Sequence, residues 1–435
     1  MPKRSSSRRP TRKDIILFVS NVPEDVVASL SALKKMLGFK VYSAMMYDSR
    51  KPKTAEKQVK AHIDILIPVD FESTSKITRA LMPYKDRLLA ITCRGEYHVA
   101  QFRKVIPHVP YLRTPTVDSL AWSTNKLEMR KRFYAYDKTI TPKFAIVDNA
   151  HASSIKKILS RVSFPLVMKP TGLAASLLVT LCYHEDELEK ALRTAFRKIR
   201  RLYKEQGNPE EPRVLVEEFM EGDMYSIDSY VTSRGRVFHC PIVHIKTGYA
   251  AGKGDFFGYI RVTPTALSAA SIKKAEEVAH KTVHALGLRS TTAHIELMRT
   301  EKGWRVIECG PRIGGNRVRM YELSYGFNHS LNDILIRIPK KPILARKPLG
   351  YTAVIEFFPE KEGVITKIKG VKKALELKSI KDLNQRKKVG ERARFARHGG
   401  KAILNVVLFH KDRSALLADV RRLEQLISIE TKKGV

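Results

Sequence analysis

His294-Ile295-Glu296-Leu297 and Val306-Ile307-Glu308-Cys309 are two apolar runs, each broken by one glutamate, with Thr300-Glu301-Lys302-Gly303 between them. Apolar, partly β-branched runs on either side of turn chemistry predict a β-hairpin. With the loop at Glu301–Gly303, Thr300 faces Trp304 and Glu296 falls opposite Glu308. Side chains alternate across a strand, so both glutamates then share one face, while Ile295, Leu297, Ile307 and Cys309 turn to a core on the other. Like charges facing each other with Cβ atoms ~5 Å apart destabilise a sheet unless something neutralises them. A hard divalent cation does so, and Mg²⁺ is typically held by one or two carboxylates plus nucleotide phosphates. The plain alternative is an edge hairpin with two solvated glutamates.

The next segment, Gly310-Pro311-Arg312-Ile313-Gly314-Gly315-Asn316-Arg317, weighs against that alternative. Arg312, four residues past Glu308, is suited to stabilise charge on a transferring phosphoryl group. The Gly-Gly pair permits close approach of backbone to a ligand. A turn carrying a surface arginine would leave the acidic pair unexplained.

Glu-x11-Glu followed by Pro-Arg-Ile-Gly-Gly resembles the magnesium strands of the ATP-grasp superfamily, which includes biotin carboxylase, D-alanine–D-alanine ligase and the L-amino-acid ligases. Other stretches resemble that family's elements in their usual order. Asn125-Lys126-Leu127-Glu128-Met129-Arg130, with Thr141-Pro142 beyond it, looks like the lysine-bearing helix. Phe164-Pro165-Leu166-Val167-Met168-Lys169-Pro170 looks like the strand that ends in a second phosphate-binding lysine. An ammonium at the end of an apolar strand is an odd choice unless it meets an anion there. The bland readings are a solvated helix face for Lys126 and a snorkelling strand end for Lys169.

Thr171 to Ser176 takes the place of the loop over the phosphates, with Gly172 its one glycine and Ser176 expected at the nucleotide. Its small residues leave backbone N–H groups and hydroxyls free to approach phosphate oxygens. Val214-Leu215-Val216-Glu217-Glu218-Phe219-Met220-Glu221-Gly222 resembles the hinge strand that holds adenine. The resemblance puts backbone groups of Glu218, Phe219 and Met220 at the purine edge and Glu217 at its amino group. Met224 stands where a ribose-binding acid is usual, leaving Glu221 or Asp228 as substitutes, and Gly310 stands where relatives carry a metal-ligating Asn.

The resemblance implies an α/β fold, α+β in its core. A small parallel α/β domain over 14–115 follows a disordered basic arm at 1–13. A two-lobed ATP-grasp core over 116–342 and a C-terminal α/β cap over 343–435 complete the chain. The cap resembles the C-terminal domain of L-amino-acid ligases through Phe357-Phe358-Pro359-Glu360-Lys361. The implied activity is ATP-dependent carboxylate–amine ligation through an acyl phosphate, releasing ADP and phosphate. ATP lies between the lobes, Glu296 and Glu308 hold Mg²⁺ or Mn²⁺, and Lys169 and Arg312 act on the spreading charge. Substrates are small carboxylates and amines, amino acids among them, and a homodimer is allowed. A bicarbonate-using carboxylase or carbamoyl-phosphate-type enzyme is one rival. A nucleic-acid-binding protein on a degenerate ligase scaffold is the other.

Bulk properties agree with an enzyme. The 435 residues suffice for two to four compact domains, and 43% apolar with 29% charged residues is ordinary globular composition. No apolar run approaches the ~20 residues that cross a bilayer, and Ile15 to Val19 is too short for a signal-peptide core, so a cytoplasmic location is expected. Cys93, Cys182, Cys240 and Cys309 lie apart without a C-x-x-C pair, which predicts buried free thiols. The net charge of +36 invites a nucleic-acid partner, yet the basic residues spread along the whole chain and no zinc-finger, RNA-stacking or basic-zipper pattern accompanies them. A general attraction for phosphates or acidic substrates is the milder account.

Periodicity places strands at Ile15–Ser20, Val41–Tyr47, Ile63–Val69 and Leu88–Thr92, with helices at Val26–Leu37 and Ser73–Met82 between them. Further on it predicts strands at Leu177–Tyr183 and Arg213–Phe219, a long charged helix from Glu185 to about Lys204, and a last helix over Arg413 to Leu426. Gly248 to Gly254 is one residue short of a P-loop and reads as a mobile loop near the acceptor, with Lys246 or Lys253 near phosphate. His280 and His284 have zinc-compatible i, i+4 spacing but no third ligand, so an ordinary helix surface is the better reading.

Overall fold

Alternating apolar strands and amphipathic helices build the first layer. Strands β1 (Ile15–Val19), β2 (Tyr42–Asp48), β3 (Ile65–Val69) and β4 (Leu88–Thr92) form a parallel sheet in the order β3-β2-β1-β4. All of β1 is buried, as a central parallel strand covered on both faces must be. Ile15, Leu17 and Val19 pack on one side with Ile77, Leu81 and Phe102. Ile16 and Phe18 pack on the other with Val26 and Leu33, and with Leu331, Ile334 and Leu335 from a helix more than 300 residues on in the chain. The computed structural model describes residues 12–23, 25–50, 63–173, 177–205, 211–252, 254–345 and 347–433. Most of the basic arm, Ser176 and Lys253 lie outside the described residues.

A second, antiparallel sheet contains β5 (Phe144–Val147), β6 (Leu166–Pro170), β7 (Thr180–Cys182) and β8 (Val214–Glu218), in the order β5-β8-β6-β7. Helices Ala152–Leu159 and Glu185–Glu205 cover one face. Leu188, Leu192, Ala195, Ile199 and Tyr203 recur at three- and four-residue spacing on the longer helix and bury its apolar stripe. Alternation turns Val167, Lys169, Leu215 and Glu217 to the uncovered face. The strand expected over Leu177–Tyr183 is shorter than its apolar run: Leu178 has φ 57, a left-handed turn that postpones pairing to Thr180.

The third sheet has nine strands. It runs β14 (Gly303–Gly310), β13 (Thr291–Thr300), β9 (Asp223–Val231), β11 (Val243–Thr247), β12 (Gly258–Thr263), β15 (Tyr351–Phe357), β19 (Leu404–His410) and β17 (Ile380–Gln385), with β10 (Val237–His239) paired to β9. Helix Ala269–Ala285 packs beneath β9, β13 and β14 through Ala275, Ala279 and Val283. β15, β17 and β19 come from the last hundred residues, so one sheet crosses the expected division at 342/343. Helix Arg413–Leu426 and a small sheet of β16 (Gly363–Lys369), β18 (Arg392–Ala393) and β20 (Ser428–Lys432) cover that end. The fold is thus mixed α/β, as expected. All four cysteines are buried and free, and among the described residues no helix is long and apolar enough to cross a membrane.

Candidate active site

Glu296 pairs with Glu308 in register, but by a different route from the one expected. The turn is one residue tighter: Thr300 pairs with Gly303 and Arg299 with Trp304. A regular ladder from that turn would set Ile307 opposite Glu296 and put Glu308 on the core side with Trp304 and Val306. A bulge between Glu296 and Leu297 absorbs Ile307 and turns Glu308 over. The expected core position of Ile307 is corrected accordingly. Val306 and Trp304 pack in the core with Ile295, Leu297 and Cys309, whereas Ile307 is half-buried outside it.

Charge partners converge on this pair. Lys126 opens helix Lys126–Tyr136, whose first turn is capped by Asn125 accepting from the Leu127 and Glu128 N–H groups. Its Nζ donates to the Leu173 carbonyl at 2.8 Å and lies 3.3 Å from Glu308. Burial opposes the Lys126 charge, but Glu308 and Glu96 more than offset this and raise its pKa. His294 lies 3.5 Å from Glu296, and its Nδ1 is hydrogen-bonded to buried Asp228 at 2.6 Å. Burial works against the imidazolium, yet Asp228 holds its pKa above the ordinary value. Asp228 also meets His329 at 2.7 Å and accepts the Gly314 N–H at 2.9 Å, which ties the loop after Glu308 to the sheet. It is therefore held as a buried strut between the sheet and that loop.

Arg312 donates to Glu96, from the short helical turn Glu96–His98 that follows the first sheet, and to the Ile313 carbonyl at 3.1 Å. Its guanidinium charge is penalised by burial but raised on balance by Glu96 and by both hairpin glutamates. Thus Glu96, Lys126, His294, Glu296, Glu308 and Arg312 form one cluster of acidic and basic side chains at the junction of three chain segments. Glu96 and His294 carried no local motif that would single them out in the sequence.

Lys169 lies at the end of β6, 7% exposed, with its ammonium 2.6 Å from Glu217. Burial brings its pKa down to about 8, and nearby Arg130 and Lys126 push the same way against the pull of Glu217. Glu217 is itself buried and takes Arg130 Nε at 2.5 Å. Burial raises its pKa, but the two cations overcome that and bring it down to about 2. Its carboxylate accepts from both Arg130 and Lys169, beside the position the purine amino group is expected to take. Two facing cations would repel, so an ionised carboxylate between them is what their burial requires.

Glu218 at the end of β8 and Phe219, Met220, Glu221 and Gly222 after it line an open hollow of about 1490 Å³, together with Tyr134, Phe144 and the hairpin tip. Lys126, Lys169, Glu296 and Glu308 do not line it, so the hollow borders the hinge and not the charged cluster. Phe219 meets Tyr249 and Phe256 edge-on or tilted, with ring centroids 5.5 and 6.2 Å away. The Tyr249 hydroxyl lies 3.2 Å from that of Tyr183, the residue that follows β7 of the second sheet. The 248–258 loop therefore reaches across the cleft through aromatic side chains, a feature the P-loop comparison overlooked. His280 and His284 stand near each other and His239, and among the described residues no three His, Cys, Asp or Glu side chains gather into a metal site. The hairpin supplies two carboxylates and leaves the remaining positions to other oxygens, which fits Mg²⁺ bound jointly with nucleotide phosphates and water.

Residues 162–319 match the family described as the ATP-grasp domain. An alanine–anticapsin ligase from Bacillus amyloliquefaciens is 28% identical over 244 residues, covering 52% of this chain and 48% of that protein. An uncharacterized protein, y4rH, from Sinorhizobium fredii is 24% identical over 235 residues, covering 53% of this chain and 46% of that protein. The chain thus spans about half the length of the curated relatives it matches. The crystal structure of an L-amino acid ligase from Bacillus licheniformis superposes with a TM-score of 0.77 over 97% of this chain and 100% of that one, at 18% identity, and so shares its fold.

Proposed function

We propose, from a chain whose residues 162–319 form an ATP-grasp domain, that the protein is an ATP-dependent carboxylate–amine ligase. The observation that carries this reading is the in-register pairing of Glu296 with Glu308 beside Lys126. Glu296 and Glu308 would hold Mg²⁺ or Mn²⁺, which when bound offsets phosphate charge. Backbone groups of Glu218 to Met220 bind the purine, with Glu221 near the ribose. Lys126 and Lys169 receive the phosphates, and Ser176, outside the described residues, would bind them as well.

A substrate carboxylate oxygen attacks the γ-phosphorus, the bond to the β–γ bridging oxygen breaks, and ADP leaves. Arg312 and Lys169 stabilise the charge that spreads over the equatorial oxygens. An amine then attacks the acyl carbon, phosphate departs, and the nitrogen loses a proton to give an amide. Burial of the cluster strengthens each of these interactions relative to water. Amino acids as the acid and the amine agree with the names of the ligases to which the chain is similar. The division at 14–115, 116–342 and 343–435 is kept as a functional one, with the first part contributing Glu96 to the site.

Phosphate and ADP release with a panel of amino acids, alone and in pairs, followed by the mass of the product, tests the reaction. ATP consumed only when an acid and an amine are both present, with a product lighter than their sum by one water, is the expected result. Turnover driven by bicarbonate alone would replace this reading with a carboxylase.

A further inference from the structure

Arg130 lies one turn beyond Lys126 on the same helix and is 1% exposed. Its Nε and Nη2 donate to the two oxygens of Glu217 at 2.5 and 3.3 Å, and Nη2 also donates to the Ile307 carbonyl at 2.7 Å. One side chain therefore touches both halves of the site. Glu217 belongs to the sheet that carries Lys169, and Ile307 is the residue absorbed by the hairpin bulge.

Each contact has a physical consequence. A bulge leaves its extra residue outside the ladder, and a buried carbonyl without a donor is costly. The Arg130 donor satisfies that carbonyl and so favours the bulged register, the one in which Glu308 shares a face with Glu296. At Glu217 the guanidinium already occupies both carboxylate oxygens. Lys169 then shares its partner instead of monopolising it, and can pass to an incoming phosphate without stripping Glu217 of its only cation. Arg130 Nη1 is buried with no hydrogen-bond partner. A buried guanidinium left partly unsatisfied is an expensive way to fill space, since apolar groups do so at lower cost.

We propose that Arg130 is a positioning residue that couples the two halves of the nucleotide site, setting Glu308 through the bulge and freeing Lys169 through Glu217. This rests on the nucleotide site of the ligase reading. It concerns ATP and metal binding, so it is testable with ATP alone, without the acid or the amine.

The test is calorimetric titration of the full chain with ATP, in Mg²⁺ and in EDTA, for the wild type, Arg130→Met and Arg130→Lys. The ratio of the two dissociation constants measures what the metal contributes. Arg130→Met is expected to weaken ATP binding in EDTA and to cut the metal ratio about tenfold or more, the range seen when groups supporting metal ligands are removed. Arg130→Lys keeps a cation on Glu217 but has no second nitrogen for Ile307. It should recover metal-free ATP affinity and leave the metal ratio depressed. If the methionine variant does not fold, the lysine variant alone separates the two effects. A wild-type metal ratio in Arg130→Lys, with only the unfolding midpoint lowered, would reduce Arg130 to a structural tie and overturn the proposal. A wild type that binds no ATP would instead remove the nucleotide reading, and this inference with it.

Discussion

Lys169 is the side chain on which the free and nucleotide-bound states should differ most. In the free protein its pKa is brought down to about 8 by burial, with Arg130 adding to the effect. A phosphate at that ammonium favours the charged form. Below pH 8 the lysine is already charged and binding needs no proton there; above it, binding takes one up and affinity falls as pH rises. Calorimetry of ATP binding at pH 9 in buffers of different ionisation heat should show proton uptake that disappears in Lys169→Met. Equal uptake in both proteins would assign the proton elsewhere. Glu308→Ala should abolish ADP formation, because it removes one of two carboxylates and leaves Lys126 without its 3.3 Å partner. Its circular dichroism should match the wild type, as Glu308 is only partly buried and contributes little to the core.

Elements hold these side chains through a few local devices. At the hinge, Gly222 has φ 145, and a Cβ there would meet the Arg299 carbonyl oxygen at 2.0 Å. The segment after β8 thus lies directly on the hairpin strand, and no side chain fits between them. Gly222→Ala should cost about 1–3 kcal/mol in backbone strain alone and more from the clash, visible as a lowered urea midpoint. An unchanged midpoint would mean that the hinge backs away freely from the hairpin. Helix Lys126–Tyr136 starts at the Asn125 cap, which also sets where Lys126 emerges. Asn125→Ala should destabilise by about 1 kcal/mol and weaken ATP binding through Lys126.

Across the whole molecule, the first sheet is bound to the third by one buried carboxylate. Asp333 accepts from Thr92 at 2.7 Å, Thr292 at 2.6 Å and Arg337 at 3.1 Å, with Arg94 3.5 Å away. Burial opposes its charge, but Arg337 and Arg94 prevail and hold the carboxyl well below its usual range. Asp333→Ala leaves buried Arg337 unpaired and should cost about 3–5 kcal/mol in urea unfolding. The same contact holds the layer that delivers Glu96 to Arg312, so nucleotide-dependent turnover should fall more than ATP affinity. A loss of less than 1 kcal/mol would show that apolar packing of Leu331, Ile334 and Leu335 suffices to join the layers.

The sequence by itself determined what depends on neighbours along the chain. The strands of the first sheet, the helix stripe of 185–205, and the order of Lys126, Lys169 and the hinge all follow from periodicity and short motifs. Tertiary structure alone decided which distant charges meet: Glu96 with Arg312, Arg130 with Glu217 and Ile307, and Asp228 with two histidines. It also decided that the facing glutamates are reached through a tight turn and a bulge, two offsets that cancel, and that the C-terminal strands extend the sheet that carries the hairpin. The reason is physical. Apolar spacing records which side of an element faces a core, whereas the cost of burying a charge is met by whichever partner folding brings near, at any distance in sequence.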